Sequence, residues 1–296
     1  MTARFDTRWL RAGDRIQVVA PSGPFPVEDF ERGVARLATR YDVVHDASIT
    51  ERAGYLAGDD ERRLGELVAA LEDSSVRGIV AARGGYGATR LLDRLEVQAV
   101  RDHPKLLVGF SDITALHALW ARAGLGAVHG PMVAALGRGD DGMFDRWVRA
   151  VEGEAMEPVG GLSTVAPGDA RGPLLGGNLA VLAALVGTPH APPLDGCVLF
   201  LEDVGERPYR VDRMLTTMAQ AGWLARPAAI VLGAFTDASA GPDGVEIEHV
   251  LRERLADVGV PVLAGVPAGH GDDNLELPLG TVAVVDAERG ILSFEP

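Results

Sequence analysis

Short apolar runs alternate with segments of helical period along the first half of the chain, and this alternation restricts the fold more than any other feature. RIQVVAP (15–21), VRGIVAA (76–82) and KLLVGF (105–110) have the length and apolar density of buried strands. Between them, DDERRLGELVAALED (59–73) places apolar side chains at 64, 67, 68 and 71, the spacing of an amphipathic helix. A second helical run, ITALHALWARAG (113–124), follows the third strand directly. Strands separated by helices form βαβ units with parallel strands and right-handed crossovers. The expectation is an α/β fold with a mostly parallel sheet.

The pattern lapses between 135 and 170, where GRGDDG, EGEAMEP and STVAPGDARG replace it. Glycine, proline and acidic residues at that density interrupt regular elements, so this stretch reads as a linker. It separates an N-terminal domain over 1–134 from a C-terminal domain over 171–296. The second domain opens with GGNLAVLAALVGT (176–188), a helix with Asn178 at its N-cap. A strand CVLFL (197–201), a helix near 210–222, a strand AAIVLGAF (228–235) and a helix near 246–258 come next. The tail over 261–286 reads as a strand, a glycine-rich loop and a closing strand.

Composition removes several classes of partner. Forty-two Asp and Glu oppose 28 Lys and Arg, a net charge of −14, and no basic cluster interrupts the acidic balance. Nucleic acid is therefore not an expected partner. No apolar run reaches the roughly 18 residues of a membrane span, and the charged opening MTARFDTRWLRAGDR lacks the apolar core of a secretory signal. The reading is a cytoplasmic protein. The single cysteine, Cys197, lies inside GCVLFLE and is expected to be a small core residue. Lys105 is the only lysine, so any chemistry that needs an amine depends on it.

Ligands of open α/β sheets bind outside the carboxyl ends of the strands. Four such ends carry reactive groups: Arg83–Gly87, Ser111–Asp112, Glu202–Asp203 and, in the tail, His270. Ser111, in GFSDIT, stands on a strand-to-helix turn, where a hydroxyl is exposed beside helix N–H groups. The segment is half of a GxSxG pattern, with Gly109 in place and Ile113 where the second glycine would be. Two readings stay open, a nucleophile or a Ser-Asp helix cap. His270 lies between glycines in AGHGDDN, as a general base or as an exposed loop histidine. His129, in VHGP, is its main competitor, and the remaining histidines have no comparable setting. Glu202 ends the strand run CVLFLE, either as a site carboxylate or as an ordinary surface acid. The order Ser, Glu, His is one in which hydrolase triads occur on α/β scaffolds. RGGYG (83–87) lacks the Gly-Lys-Ser/Thr of a phosphate loop and suits backbone donation to an oxyanion better. There is no HExxH, no CxxC and no histidine pair at helical spacing, so no metal is expected.

Taken together, VVAPSGP, GYLAGDDERR, IVAARGGYGATRLLDRL, PKLLVGFSDITALH, HGPM, GGNLAVLAALVGTP, LFLEDVGERPYRVDRML, IVLGAF and PAGH occur in the order seen in the serine LD-carboxypeptidases. These are the muramoyltetrapeptide carboxypeptidases, whose relatives include the microcin C immunity peptidases. The chain resembles that family from about residue 14 to its C-terminus. The resemblance implies a triad of Ser111, Glu202 and His270, with the backbone N–H groups of Asp112 and Gly85 as oxyanion donors. It implies an N-terminal mostly parallel-sheet α/β domain, a smaller C-terminal β-rich α/β domain and an active site in the cleft between them. A homodimer without a cofactor is implied as well.

The reaction implied is hydrolysis of the L,D bond that holds the terminal D-alanine of a murein tetrapeptide, in peptidoglycan recycling. A carboxypeptidase in an acidic protein needs a local cation for the substrate's terminal carboxylate. Arg83 is the candidate, with Tyr86 beside it; the structural alternative for Arg83 is a salt bridge to a surface acid. A Ser-Lys dyad fails because Lys105 precedes the strand that delivers Ser111, about five residues at ~3.3 Å each from the serine end. Two other functions remain. A microcin C-type immunity peptidase would cleave an aminoacyl nucleotide analogue and need an aromatic platform, for which Trp223 and Tyr209 are the available residues. A non-catalytic two-domain small-molecule binding protein would use Ser111 only as a cap.

Overall fold

The computed structural model describes residues 5–242 and 244–295, and their contacts divide them into two compact units. The first holds Phe5–Glu154 together with Glu276–Pro278. Its elements begin with β1 (Arg15–Val19), α1 (Val27–Leu37) and β2 (Asp42–His45). Acids in the first turn of α1 and Arg36 in its last turn complement the helix dipole. Next come α2 (Asp60–Glu72), capped by Asp59 through Arg62 N at 2.8 Å, and β3 (Val76–Ala81). The unit continues with α3 (Val97–Asp102), β4 (Leu106–Gly109), α4 (Thr114–Ala123), β5 (Ala127–His129), α5 (Val133–Leu136) and α6 (Asp141–Val151). The strands stand in the order β5-β4-β3-β1-β2, and each of these pairs is parallel. Ile16, Val18, Val80, Leu106, Val108 and Val128 form a core with Phe30, Leu37 and Trp147 from the helices.

The stretch 135–170, expected to be linker, is more ordered than its composition suggests. Asp140 caps α6 by accepting from Met143 N at 2.8 Å, and Trp147, Val148 and Val151 are buried. Met143, Phe144, Trp147, Val148 and Val151 carry a helical spacing that the preceding GRGDDG obscures. The two units divide after Glu154.

The second unit contains Ala155–Leu275 and residues 279–295. It begins with β6 (Ser163–Ala166), β7 (Asp169–Asn178), α7 (Leu179–Ala184) and β8 (Val198–Val204). It goes on through α8 (Pro208–Gln220), β9 (Ala229–Thr236), α9 (Ile247–Leu255) and β10 (Val262–Ala264). The chain then supplies β11 (Leu277–Leu279), which lies beside β5 at the edge of the first unit's sheet. It finishes with β12 (Val282–Asp286) and β13 (Ile291–Phe294). This sheet runs β13-β12-β7-β8-β9-β10-β6, parallel from β7 to β10 and antiparallel outside.

Two local readings change here. The helix expected over 176–188 is only Leu179–Ala184, because Gly176 and Gly177 end β7. Gly176, at φ 127, lies against the Phe200 backbone, where a Cβ has no room. Asn178 is the N-cap, accepting from Val181 N at 3.1 Å. The tail does not close at 286 but folds into the β12–β13 hairpin, whose turn is fixed by Asp286 accepting from Arg289 N at 2.8 Å.

Candidate active site

In the first unit, β4 ends at Gly109 and the chain turns through Phe110 into Ser111. Ser111 has φ 63; among the described non-glycine residues only it and Asp237 take positive values. A left-handed non-glycine residue costs about 1–3 kcal/mol and is kept where the surroundings impose it. Gly109 allows the tight path: a Cβ there would lie 2.9 Å from the Ile113 side chain. Ile113 therefore fills the place of the second glycine without opening the turn.

RGGYG runs directly against this serine. A Cβ on Gly84 would stand 2.9 Å from Ser111 Cβ and 3.1 Å from its Oγ. Gly84 O accepts from Gly23 N at 3.0 Å, and Gly85 adopts φ 114. Asp112 is buried, and its Oδ2 accepts from Ser22 Oγ at 2.6 Å and from Ala88 N at 2.8 Å. Burial pushes this carboxyl up. The Asp112 side chain thus binds neighbouring loops, and α4 has Ile113 as its N-cap, without a side-chain cap bond.

Arg83 Nη1 donates to Pro24 O at 2.6 Å, so its partner is a carbonyl, not the surface acid its structural alternative required. Tyr86 is exposed, with its ring 5.9 Å from that of exposed Tyr55. The competing base His129 is fully buried, its ring 5.7 Å from Phe110 and 6.4 Å from His117. Burial holds the His117 imidazole down at about 3. Lys105 Nζ donates to the carbonyls of Asp73 and Val76, both at 2.8 Å, before β4 begins. Its ammonium is engaged at the strand end opposite Ser111.

In the second unit, Glu202 stands fully buried on β8, where the pairing with β9 shifts register between Leu201 and Asp203. His270 Nδ1 lies 2.7 Å from Glu202 Oε2, and His270 N donates to the same oxygen at 3.2 Å. A carboxylate only accepts, so the proton of this bond sits on Nδ1 and leaves Nε2 as the basic nitrogen. Gly269 makes the contact possible: at φ +106, a Cβ there would stand 2.5 Å from Glu202 Oε2. The loop is held on both sides, by Gly269 N donating to Asn274 Oδ1 at 2.8 Å and Thr236 Oγ1 donating to His270 O at 2.9 Å. Asn274, Thr236 and Ser22 were not among the expected site residues: Thr236 and Ser22 act across long sequence separations, and Asn274 reaches Gly269 five residues back only through the fold of the loop.

Asp203 accepts from Asn178 Nδ2 at 3.0 Å, Ala180 N at 3.0 Å and Val204 N at 2.8 Å. Burial raises its carboxyl to about 6. Cys197 is buried, and desolvation pushes its thiol up to about 12, which fits a core residue. Of the expected site residues, Ser111, Asp112, Gly85, Arg83 and Tyr86 lie in the first unit, and Glu202 and His270 in the second. Among the described residues, no cluster of His, Cys, Asp or Glu could hold a metal ion, and no helix is long and apolar enough to cross a membrane.

An N-terminal parallel-sheet domain with a strained serine turn, followed by a C-terminal domain in which partly exposed His270 bonds buried Glu202, sets the groups of a serine hydrolase on a two-domain α/β fold. Residues 16–130 match the LD-carboxypeptidase N-terminal domain and residues 171–285 the LD-carboxypeptidase C-terminal domain, and the chain belongs to that family of serine carboxypeptidases. A Synechocystis sp. relative is 39% identical over 96% of this chain and 95% of its own. The murein tetrapeptide carboxypeptidase of Pseudomonas aeruginosa is 32% identical over 98% of this chain and 99% of its own. The muramoyltetrapeptide carboxypeptidase from Oxalobacter formigenes superposes with a TM-score of 0.84 at 32% identity, covering 95% of this chain and 97% of that one. The microcin C7 immunity protein MccF, solved with glutamyl sulfamoyl guanosine, has a TM-score of 0.88 at 22% identity, over 99% and 98% of the two chains. At that identity the likeness is one of fold.

Proposed function

We propose that Ser111, Glu202 and His270 form a catalytic triad that releases the terminal D-alanine of a murein tetrapeptide. The observation that carries this reading is the 2.7 Å bond between His270 Nδ1 and buried Glu202, which fixes the tautomer a general base needs. His270 Nε2 takes the Ser111 proton, and the oxygen attacks the scissile carbonyl. The tetrahedral oxyanion is met by the N–H groups of Asp112 and Gly85. Glu202 stabilises the imidazolium, which then protonates the leaving amine, and water releases the acyl group. Arg83 and Tyr86, beside the glycine turn, are the proposed contacts for the substrate, Arg83 for its terminal carboxylate.

Likeness over nearly the whole chain to the murein tetrapeptide carboxypeptidase of Pseudomonas aeruginosa supports the substrate. The proposed setting is recycling of wall peptides in the cytoplasm by a homodimer. An aminoacyl nucleotide substrate has less support, since of the two residues available as a base platform Trp223 is buried, which leaves exposed Tyr209 alone for that role. The test incubates the pure protein separately with tetrapeptide, pentapeptide, an all-L tetrapeptide and an aminoacyl sulfamoyl adenosine, and measures free alanine from the peptides and released sulfamoyl adenosine from the nucleotide analogue. Alanine should come from the tetrapeptide and hardly from the others, because an added residue or inverted centre misplaces the carboxylate and the line of attack. No alanine from tetrapeptide, with turnover of the sulfamoyl adenosine, overturns the substrate assignment.

A further inference from the structure

The proline-flanked loop after β1 takes no part in the chemistry above, yet the first unit anchors it with unusual care. Ala20 N donates to Glu66 Oε2 at 2.7 Å, and Arg62 Nη2 pairs with that oxygen at 2.8 Å. Arg63, fully buried, donates to Pro21 O, and its guanidinium lies against Gly87. Ala57 N donates to Ser22 O at 2.9 Å. From this fixed platform Gly23 N reaches Gly84 O, and the fully buried Ser22 hydroxyl reaches Asp112 Oδ2. The same oxygen accepts from Ala88 N, where the glycine turn ends.

We propose that the Asp112 side chain is a positioning group that locks the two turns carrying the oxyanion donors into one rigid piece. This rests on the Ser111 reading and extends it from backbone to side chain. The two proposed donors, the N–H groups of Asp112 and Gly85, stand on separate turns. Such donors stabilise a transition state only when held within a fraction of an ångström of the developing charge. One carboxylate oxygen joins the turns directly, through Ala88 N at 2.8 Å, and again through Ser22 and Gly23, at 2.6 Å and 3.0 Å. A buried carboxylate is costly to keep, and an apolar side chain of similar size would pack at lower cost. Asp112 does not serve as the cap of α4, so its retained polarity is explained by the strut it forms.

The experiment compares Asp112→Ala, Asp112→Asn and Ser22→Ala, with folding checked by thermal melts. It reads kcat and KM on tetrapeptide and the rate at which a fluorophosphonate labels Ser111. Asp112→Ala should lower kcat about 100-fold with KM nearly unchanged, and slow labelling in step, because the strut acts on the transition state. Asp112→Asn keeps an oxygen able to accept both bonds and should return activity to within about threefold of wild type. Ser22→Ala, which leaves the Ala88 bond, should fall about tenfold and decides the matter if Asp112→Ala does not fold. The inference is overturned if folded Asp112→Ala or Ser22→Ala keeps wild-type kcat and labelling, if KM alone rises, or if Asn is as poor as Ala. Full activity in Ser111→Ala would instead overturn the serine reading, and this inference with it.

Discussion

At Gly269 two requirements meet, a left-handed backbone at φ +106 and the absence of a Cβ that would stand 2.5 Å from Glu202 Oε2. Gly269→Ala should therefore displace the carboxylate from His270, cutting kcat by tenfold or more while costing about 1–3 kcal/mol of stability. An alanine variant with wild-type kcat would show that the Glu202–His270 bond is not needed. One residue before the strand's last position, Asp203 gives a pH signature. Its carboxyl is raised to about 6, so the folded state holds the proton more tightly than the unfolded chain. That contribution is fully present below the ordinary value of 3.8 and is lost as pH rises through about 6. A shift of this size amounts to about 3 kcal/mol. In urea titrations the stability of wild type relative to Asp203→Asn should thus decline by that order between pH 4 and 7; a difference constant across the range would refute the linkage. The flanking glycines mark His270 locally, whereas Glu202, expected at the end of its strand, stands inside β8, which runs on to Val204, and its bond to His270 was not visible in the spacing. Thr236 and Asn274 were not legible, since His270 O and Gly269 N are satisfied only once the loop has folded.

Among the elements, α2 does the most to connect sequence with site. Its amphipathic spacing is plain in DDERRLGELVAALED, and the helix forms over Asp60–Glu72. What the spacing hides is that Arg63 and Glu66, polar by composition, are buried along with the apolar stripe because they bond the loop after β1. Replacing Arg63 by Met keeps much of the volume but leaves Pro21 O without its donor and removes a cation whose charge favours the ionised form of buried Asp112. Breaking a buried charged contact costs about 3–5 kcal/mol, so Arg63→Met should lower the unfolding free energy by that order, seen as a lower urea midpoint with an unchanged slope. A loss below about 1 kcal/mol would mean that the loop is held by Glu66 and Arg62 alone. The same contest between composition and spacing explains α6, where GRGDDG outweighed the buried stripe ending in Trp147, Val148 and Val151. The strand β11, only LPL in sequence, gives no periodic signal at all, and its place at the edge of the first sheet depends on a partner far away in the chain.

Over the whole molecule, the proposed reaction draws its nucleophile from one unit and its base from the other. Ser111 belongs to Phe5–Glu154, whereas Glu202 and His270 belong to Ala155–Leu275. The order of motifs made this division readable, but the return of Glu276–Pro278 to the first unit was not, because it follows from pairing rather than pattern. If His270 is the base for Ser111, the two residues act as one catalytic device, and their removal is not additive. Ser111→Ala and His270→Ala should each reduce kcat/KM on tetrapeptide by about 10³-fold or more, and the double variant should be no worse than the poorer single one. Glu202→Gln, which keeps size but weakens support of the imidazolium, should fall between wild type and His270→Ala. Free D-alanine measured by mass spectrometry on freshly purified variants gives each value. Losses that multiply in the double variant would mean that serine and histidine act independently, and His270 would cease to be the base for Ser111.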